Sequence, residues 1–299
     1  MIQQKQLFNS FEDFINSSLQ SHTNLQLDLN NKQIGAKGTL NLSSTITKCS
    51  NLENLTLDLQ FNSIGEQGIL HLCSTLVNCS FLSSLTLNLR SNQIGAQGAS
   101  NLGSALSKCI NISVLSVNLR QNQIGDNGAS ELVQGLSNNA RLQSLILQLG
   151  LNSIGPKGAS GLASSLAKIS ILSTLKLWLG DNQIGEQGTI ELAFALTSCT
   201  NLSTLTLDLY DNKIGMAGVI SLGSALLNFN KLKTLVIDLF NNNLGFQALQ
   251  LLVNDLLNCK NLTILSLEIF FNQLDRIELQ KLKRKILKFK RLVKASLKL

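Results

Sequence analysis

The chain has 299 residues, 44% of them apolar, with one proline, 5% aromatics and two histidines. That apolar content over that length fills a sizeable core and excludes a disordered chain. The formal charge is +7, but ten of the 25 basic residues and only one of the 18 acidic ones fall within 276–299, leaving 15 basic and 17 acidic residues in the body; general attraction to nucleic acid is therefore not expected, and any such affinity would belong to the tail.

The first residues, MIQQKQLFNSFEDFINSSL, hold no uninterrupted apolar stretch behind basic residues, and nowhere do 18 apolar residues run together. Neither a secretory leader nor a membrane span is expected, and the chain reads as cytoplasmic. Ser10 is followed by Glu12 and Asp13, with Phe11, Phe14, Ile15 and Leu19 at helical spacing. Residues 1–23 are thus predicted to form an amphipathic helix that caps the first strand.

From 24 to 274 the sequence repeats with a period of thirty and no insertion or deletion: Asn62, Asn92, Asn122, Asn152, Asn182, Asn212, Asn242 and Asn272 mark it. A glycine pair such as Gly65 and Gly68 recurs seven times on the same clock; in the eighth copy Ala248 replaces the second glycine. In each unit Leu55, Leu57 and Leu59 or their equivalents alternate, the pattern of a strand with one buried face. After the asparagine, a stripe such as Leu72, Leu76 and Cys79 marks a helix starting near Glu66. Strand and helix always in that order predict parallel strands on one side and helices on the other.

At the far end Asp275 with Glu278 forms a capping-box pattern. Residues 275–299 are predicted as a basic helix with the stripe Leu279, Leu282, Ile286 and Phe289, followed by a terminal strand over 294–299. In the bland reading this helix caps the ninth repeat. In the other, Lys281, Lys283, Arg284, Lys285, Lys288, Lys290, Arg291 and Lys294 meet an acidic partner or an anionic membrane.

The pattern L-x-x-L-x-L-x-L-x-x-N-x-I-G, as in Leu52 to Gly65, resembles the leucine-rich repeat, closest to the long ribonuclease-inhibitor-like class. The resemblance covers nearly the whole chain and implies one solenoid over 1–299. Its fold class is α/β, a horseshoe with a parallel sheet on the concave face, helices on the convex face and about ten strands. An additional x-Leu step implies strands about two residues longer than usual. The resemblance also implies that the eight asparagines form a buried ladder between turns, with the first rung missing where Lys32 stands. The N-x-I-G repeats are similar to those of Ran GTPase-activating proteins as well, which implies GTPase regulation as an alternative; none of that family's functional residues is carried over here.

Chemistry finds little support. His22 and His71 lie far apart, no catalytic or phosphate-binding motif occurs, and no metal site or cofactor is expected. Cys49, Cys79, Cys109, Cys199 and Cys259 share one repeat position with Asn139, Ile169 and Phe229, and the Ile and Phe occupants mark an apolar slot. Helices there lie ~8–10 Å apart, whereas a disulfide needs Cα atoms within ~7 Å, so reduced thiols are expected.

Residues between the leucines point to the concave face and fall into columns. One runs Asp28, Asp58, Asn88, Asn118, Gln148, Trp178, Asp208, Asp238, Glu268; the next runs Asn30, Gln60, Arg90, Arg120, Gly150, Gly180, Tyr210, Phe240, Phe270. The repeats differ from one another along these columns, and Trp, Tyr, Phe and Arg are the types that dominate interface energetics. The candidate site is Arg90 and Arg120, a notch at Gly150 and Gly180 beside Trp178, then Tyr210, Phe240 and Phe270 flanked by Asp208, Asp211 and Asp238. The expected function is a non-enzymatic scaffold that binds an as yet unidentified protein through this face. The bland alternative is that the aromatics only stabilise the sheet.

Overall fold

A computed structural model describes residues 6–289 and 292–298. It opens with strand β1 (Gln6–Phe8), helix α1 (Phe11–Ile15) and a 3-10 turn at Leu19–Ser21. The repeating strands are β2 (Asn24–Asp28), β3 (Asn54–Asp58), β4 (Ser84–Asn88), β5 (Val114–Asn118), β6 (Ser144–Gln148), β7 (Thr174–Trp178), β8 (Thr204–Asp208), β9 (Thr234–Asp238) and β10 (Ile264–Glu268). The helices between them are α2 (Gly35–Ile46), α3 (Gly65–Asn78), α4 (Gly95–Leu106), α5 (Gly125–Leu136), α6 (Pro156–Leu166), α7 (Gly185–Leu196), α8 (Gly215–Leu226) and α9 (Phe246–Asn258). Helix α10 (Arg276–Ile286) and strand β11 (Lys294–Lys298) close the described chain.

All strands join one parallel sheet in chain order, a horseshoe with the sheet inside and the helices outside. From β2 to β11 every residue pairs with the one thirty positions away, as Leu55 does with Leu25 and Leu85. The register therefore never slips, and the same side chain faces the same way in every turn. Although the regular strands span five residues, the backbone bonding continues further: Leu59 donates to Asn88 at 2.8 Å and Phe61 to Arg90 at 3.0 Å. The extra x-Leu step lies in this continuation.

Leu55, Leu57, Leu59, Ile64, Ile69, Leu72 and Leu76 are buried, and their equivalents build one continuous core. In the connecting loop three residues take left-handed backbone, as at Phe61 (φ 56°), Ser63 (φ 51°) and Gly65 (φ 63°). Gly65 is chosen for that conformation and not for lack of room, because an added Cβ would meet nothing within 4 Å. Gly68 is the opposite case: a Cβ there would lie 2.4 Å from Ile64 Cγ2 and 3.3 Å from the Ala36 Cα. Gly68 thus lets adjacent helices approach.

The N-terminal end departs from the predicted helix over 1–23. Ser10 caps the helix by accepting from the Asp13 N–H, but α1 ends at Ile15 because Ser17 turns both its N–H and its hydroxyl onto the Phe14 carbonyl. Such local bonding by serine competes with helix continuation. Strand β1 precedes it, pairs with β2 and brings the sheet to eleven strands. Phe8, Phe14 and the buried His22 pack together beneath this cap, with ring centroids 5.6–6.0 Å apart. Burial lowers the His22 pKa.

At the other end Asp275 and Glu278 form a reciprocal capping box, with bonds of 2.8 and 3.0 Å. Leu282, Ile286 and Phe289 of the predicted stripe are buried. Met1 to Lys5, Lys290, Arg291 and Leu299 lie outside the described residues, as do the side chains of Ala295 and Leu297.

Candidate functional site

The asparagines belong to the frame. The Asn92 side-chain oxygen accepts from the backbone N–H of Asn62 at 3.0 Å and of Ile64 at 3.2 Å. Its amide donates to the Leu59 carbonyl at 2.8 Å, the Leu89 carbonyl at 3.0 Å and the Arg90 carbonyl at 3.1 Å. Asn62, Asn122, Asn152, Asn182, Asn212, Asn242 and Asn272 each join neighbouring turns in the same way. One amide supplies both donor and acceptor, so buried loop groups are satisfied without water.

The cysteine slot carries a parallel device on the helical side. The Cys109 thiol lies within hydrogen-bond reach of the Leu76 carbonyl at 3.5 Å and of Ala105 at 3.4 Å, Cys259 reaches those of Leu226 and Asp255 at 3.5 Å each, and Cys199 reaches Leu166 at 3.8 Å, the leucines each lying 33 residues earlier. Asn139 in the same slot donates to the Cys109 and Ile112 carbonyls. The position is thus less purely apolar than its Ile and Phe occupants imply. No disulfide joins the six cysteines; burial pushes Cys49 and Cys73 up to about 12 and Cys79, Cys109 and Cys199 up to about 11.

On the sheet face the strand alternation leaves Thr56, Asp58, Asn88, Asn118, Gln148, Trp178, Asp208 and Asp238 half-buried. The N-terminal part of the column that holds Asp58 and Trp178 is linked by side-chain amides: Asn118 donates to Asn88 at 3.0 Å and Asn88 to the Asp58 carboxylate at 2.9 Å. Arg90 places its guanidinium 5.4 Å from the Phe61 ring centroid.

Arg120 does not stand free beside Arg90, and the expected notch at Gly150 and Gly180 is closed. The Arg120 side chain runs over Gly150 and donates from Nη2 to the Asp181 carboxylate at 3.0 Å and to the Tyr210 hydroxyl at 2.8 Å. Tyr210 in turn donates to the same Asp181 oxygen. Its ring covers Gly180, where an added Cβ would fall 1.9 Å from Tyr210 Cε1; a Cβ at Gly150 would fall 2.5 Å from Arg120 Nη1. The two glycines make room for the protein's own clasp. Burial alone would lower the Arg120 pKa, but Tyr210 and Asp181 outweigh it and raise it. Burial, followed by the bond to Asp181, raises that of Tyr210.

Asp181 completes this clasp and escaped the reading by columns, because it sits at the left-handed loop position (φ 56°) just past the column that holds Gly180. Its signal was a carboxylate next to Gly180, two repeats along from Arg120.

Past the clasp the face changes character. Trp178 pairs in register with Asp208, Asp208 with Asp238, and Asp238 with Glu268. Asp208 accepts from the Tyr210 N–H at 3.3 Å and Asp238 from the Phe240 N–H at 2.9 Å. Burial pushes Asp208 up to about 6, with Asp238 and Asp181 adding repulsion; burial also raises Asp238, with Glu268 adding to it. Glu268 is paired with Lys298 at 2.9 Å. Phe240 and Phe270 meet at Phe271, a residue outside the columns, with centroids 5.1 and 4.7 Å away. Phe271 is 66% exposed. Asp211 is exposed and borders a cleft of about 320 Å³ with Asp181 and Lys213.

Among the described residues no group of His, Cys, Asp and Glu is placed to hold a metal ion, and no helix is long and apolar enough to cross a membrane. On α10, Lys281 lies 5.7 Å from the Phe246 ring centroid and Lys285 bonds Asn254.

Residues 82–103, 111–133 and 143–163 match the family described as Leucine Rich repeat. No curated protein matches the chain significantly in sequence. Among solved structures, an internalin (inlF) from Listeria monocytogenes is similar at 21% identity with a TM-score of 0.46, covering 96% of this chain and 76% of that one. The TLR13–ssRNA13 complex is similar at 18% identity with a TM-score of 0.42, covering 86% of this chain and 34% of that one.

Proposed function

We propose that this leucine-rich-repeat solenoid is an interaction scaffold, not an enzyme, and that it holds a protein partner on its concave face. The observation that carries the reading is the contrast between a uniform interior and a variable inner surface. The interior leucines give way only to Val117, Ile237 and Ile269, and the asparagine only to Lys32 in the first turn, whereas the columns of Trp178, Asp208 and Asp238 and of Phe240 and Phe270 also hold Asn, Gln, Glu, Arg, Gly and Tyr in other repeats. An in-register sheet holds these side chains in place before binding, so little ordering entropy opposes association.

The helix in every thirty-residue unit supports the ribonuclease-inhibitor-like class within the leucine-rich repeats. The burial of Cys49, Cys109 and Cys199 as small core side chains supports a reducing, cytoplasmic setting. On α10 the buried stripe favours a cap over a binding element.

The test is affinity capture with wild-type chain, with Trp178→Ala plus Phe240→Ala, and with the convex-face variant Phe194→Ala, whose phenylalanine is 75% exposed. A protein lost only from the concave double variant supports the reading. Retention there with loss from Phe194→Ala would place recognition on the helices instead.

A further inference from the structure

We infer that the C-terminal half of the concave face takes a basic, extended segment of the partner protein, whose lysine or arginine side chains answer Asp208 and Asp238 beside Trp178. This rests on the concave-face reading above and adds the chemistry of what binds.

Other members of the same column have side-chain partners. Asp58 receives the Asn88 amide, Asn88 receives the Asn118 amide, and Glu268 receives Lys298. Among the described residues, Asp208 and Asp238 accept the backbone N–H two residues along their own strand and no side-chain donor; Arg120 and Lys298 attract them from nearby but give their hydrogen bonds to Asp181, Tyr210 and Glu268. Asp28 likewise accepts only from Asn30, but it is exposed and water solvates it. Asp208 and Asp238 are half-buried and stand directly opposite each other on adjacent strands, an arrangement that is destabilising for like charges. The fold nearby shows how such a carboxylate is normally satisfied: Asp181, one turn away, holds Arg120 at 3.0 Å.

The surroundings favour a cation carried on a peptide. Trp178 flanks Asp208 in register, and Phe240, Phe270 and Phe271 stand on the other side. Aromatic faces attract guanidinium and ammonium groups, and they also cover the apolar stems of Arg and Lys. Neighbouring strands are ~4.8 Å apart and an extended chain advances ~3.3 Å per residue. A segment crossing the strands therefore brings two basic residues, one or two positions apart, to the two carboxylates. The same charges repel phosphate, which disfavours nucleic acid here.

Trp178 is the only tryptophan, so its fluorescence reports on this face in the intact chain. An acetylated, amidated peptide of alternating arginine and glycine is titrated into the full-length protein, with an alternating glutamate–glycine peptide as control. The arginine peptide should shift Trp178 emission saturably and bind more weakly as salt rises. Asp208→Asn with Asp238→Asn should weaken it about tenfold or more, and Asp28→Asn should not. The double variant removes repulsion and is expected to fold, with a cooperative melt as the check. No saturable shift, an equal response to the glutamate peptide, or full binding by the double variant overturns the inference. Self-association that grows with concentration and vanishes in the double variant would assign the site to the basic α10 of a second copy and also overturn it. If Trp178→Ala loses a captured partner while the arginine peptide never binds, the charge inference fails and the concave-face reading stands.

Discussion

The guanidinium of Arg120 reaches the carboxylate of Asp181 at 3.0 Å from two repeats away, and Gly150 lies beneath the connection. The pair is partly open to solvent, with about a quarter of each side chain exposed, so its electrostatic worth is modest, about 0.5–1 kcal/mol. The packing beneath it is less forgiving. Gly180→Ala should displace the Tyr210 ring and cost about 1–3 kcal/mol. In a Tyr210→Ala background the same change should cost little, and a double-mutant cycle from urea melts measures the coupling. Equal costs in both backgrounds would show that the ring does not require the glycine.

Asn152 tests the ladder at its centre. Its oxygen accepts the Asn122 N–H at 2.8 Å and its amide donates to Leu119 at 2.8 Å and Leu149 at 3.0 Å. Asn152→Ala strands these buried backbone groups and should lower stability by about 3 kcal/mol. Asn272→Ala, whose bonds are partly open to solvent, should cost less. Chemical denaturation of the two variants side by side distinguishes them.

Stability should depend on pH through Asp208. Burial lifts its folded-state pKa to about 6 from an ordinary 3.8, so the native state holds the proton more tightly than the unfolded chain. Ionisation therefore costs stability: the penalty is absent below the ordinary value, grows as pH rises between the two, and is complete above the folded pKa. Asp208→Asn never carries the charge. Its gain in denaturation midpoint over wild type should be larger at pH 8 than at pH 4, and a gain independent of pH would rule out the buried charge as its source.

The thiols should be inert while the chain is folded. With Cys49 and Cys73 pushed up to about 12 and Cys199 to about 11 by burial, little thiolate forms at pH 8 and access is poor. Native protein should react slowly with a thiol reagent, half-buried Cys79 first, and denatured protein should expose all six. Rapid labelling of Cys199 in the native state would contradict the described packing.

The solenoid was legible in the sequence because its information is repeated. Each strand alternation, each asparagine and each glycine pair occurs in fixed phase, so the register follows from the period alone. The ends were less legible for the same reason, since β1 and the short α1 have no copies to read against. At the site, the columns located Trp178, Asp208, Asp238 and Phe240 on the concave face. They could not show where long side chains go: Arg120 crosses Gly150 and occupies the space that two glycines had implied was open. Asp181 and Phe271 were missed because the loop turns left-handed at their positions, where strand alternation no longer predicts direction.

The clasp also has a mechanical meaning. From Arg120 to Tyr210 it links side chains separated by three strand-to-strand steps, ~14 Å along the inner arc. Straightening a horseshoe must lengthen that arc, and here the stretch would pull a guanidinium from its carboxylate and lift a ring from Gly180. The arch is therefore braced at its middle, and Trp178 stands within the braced span.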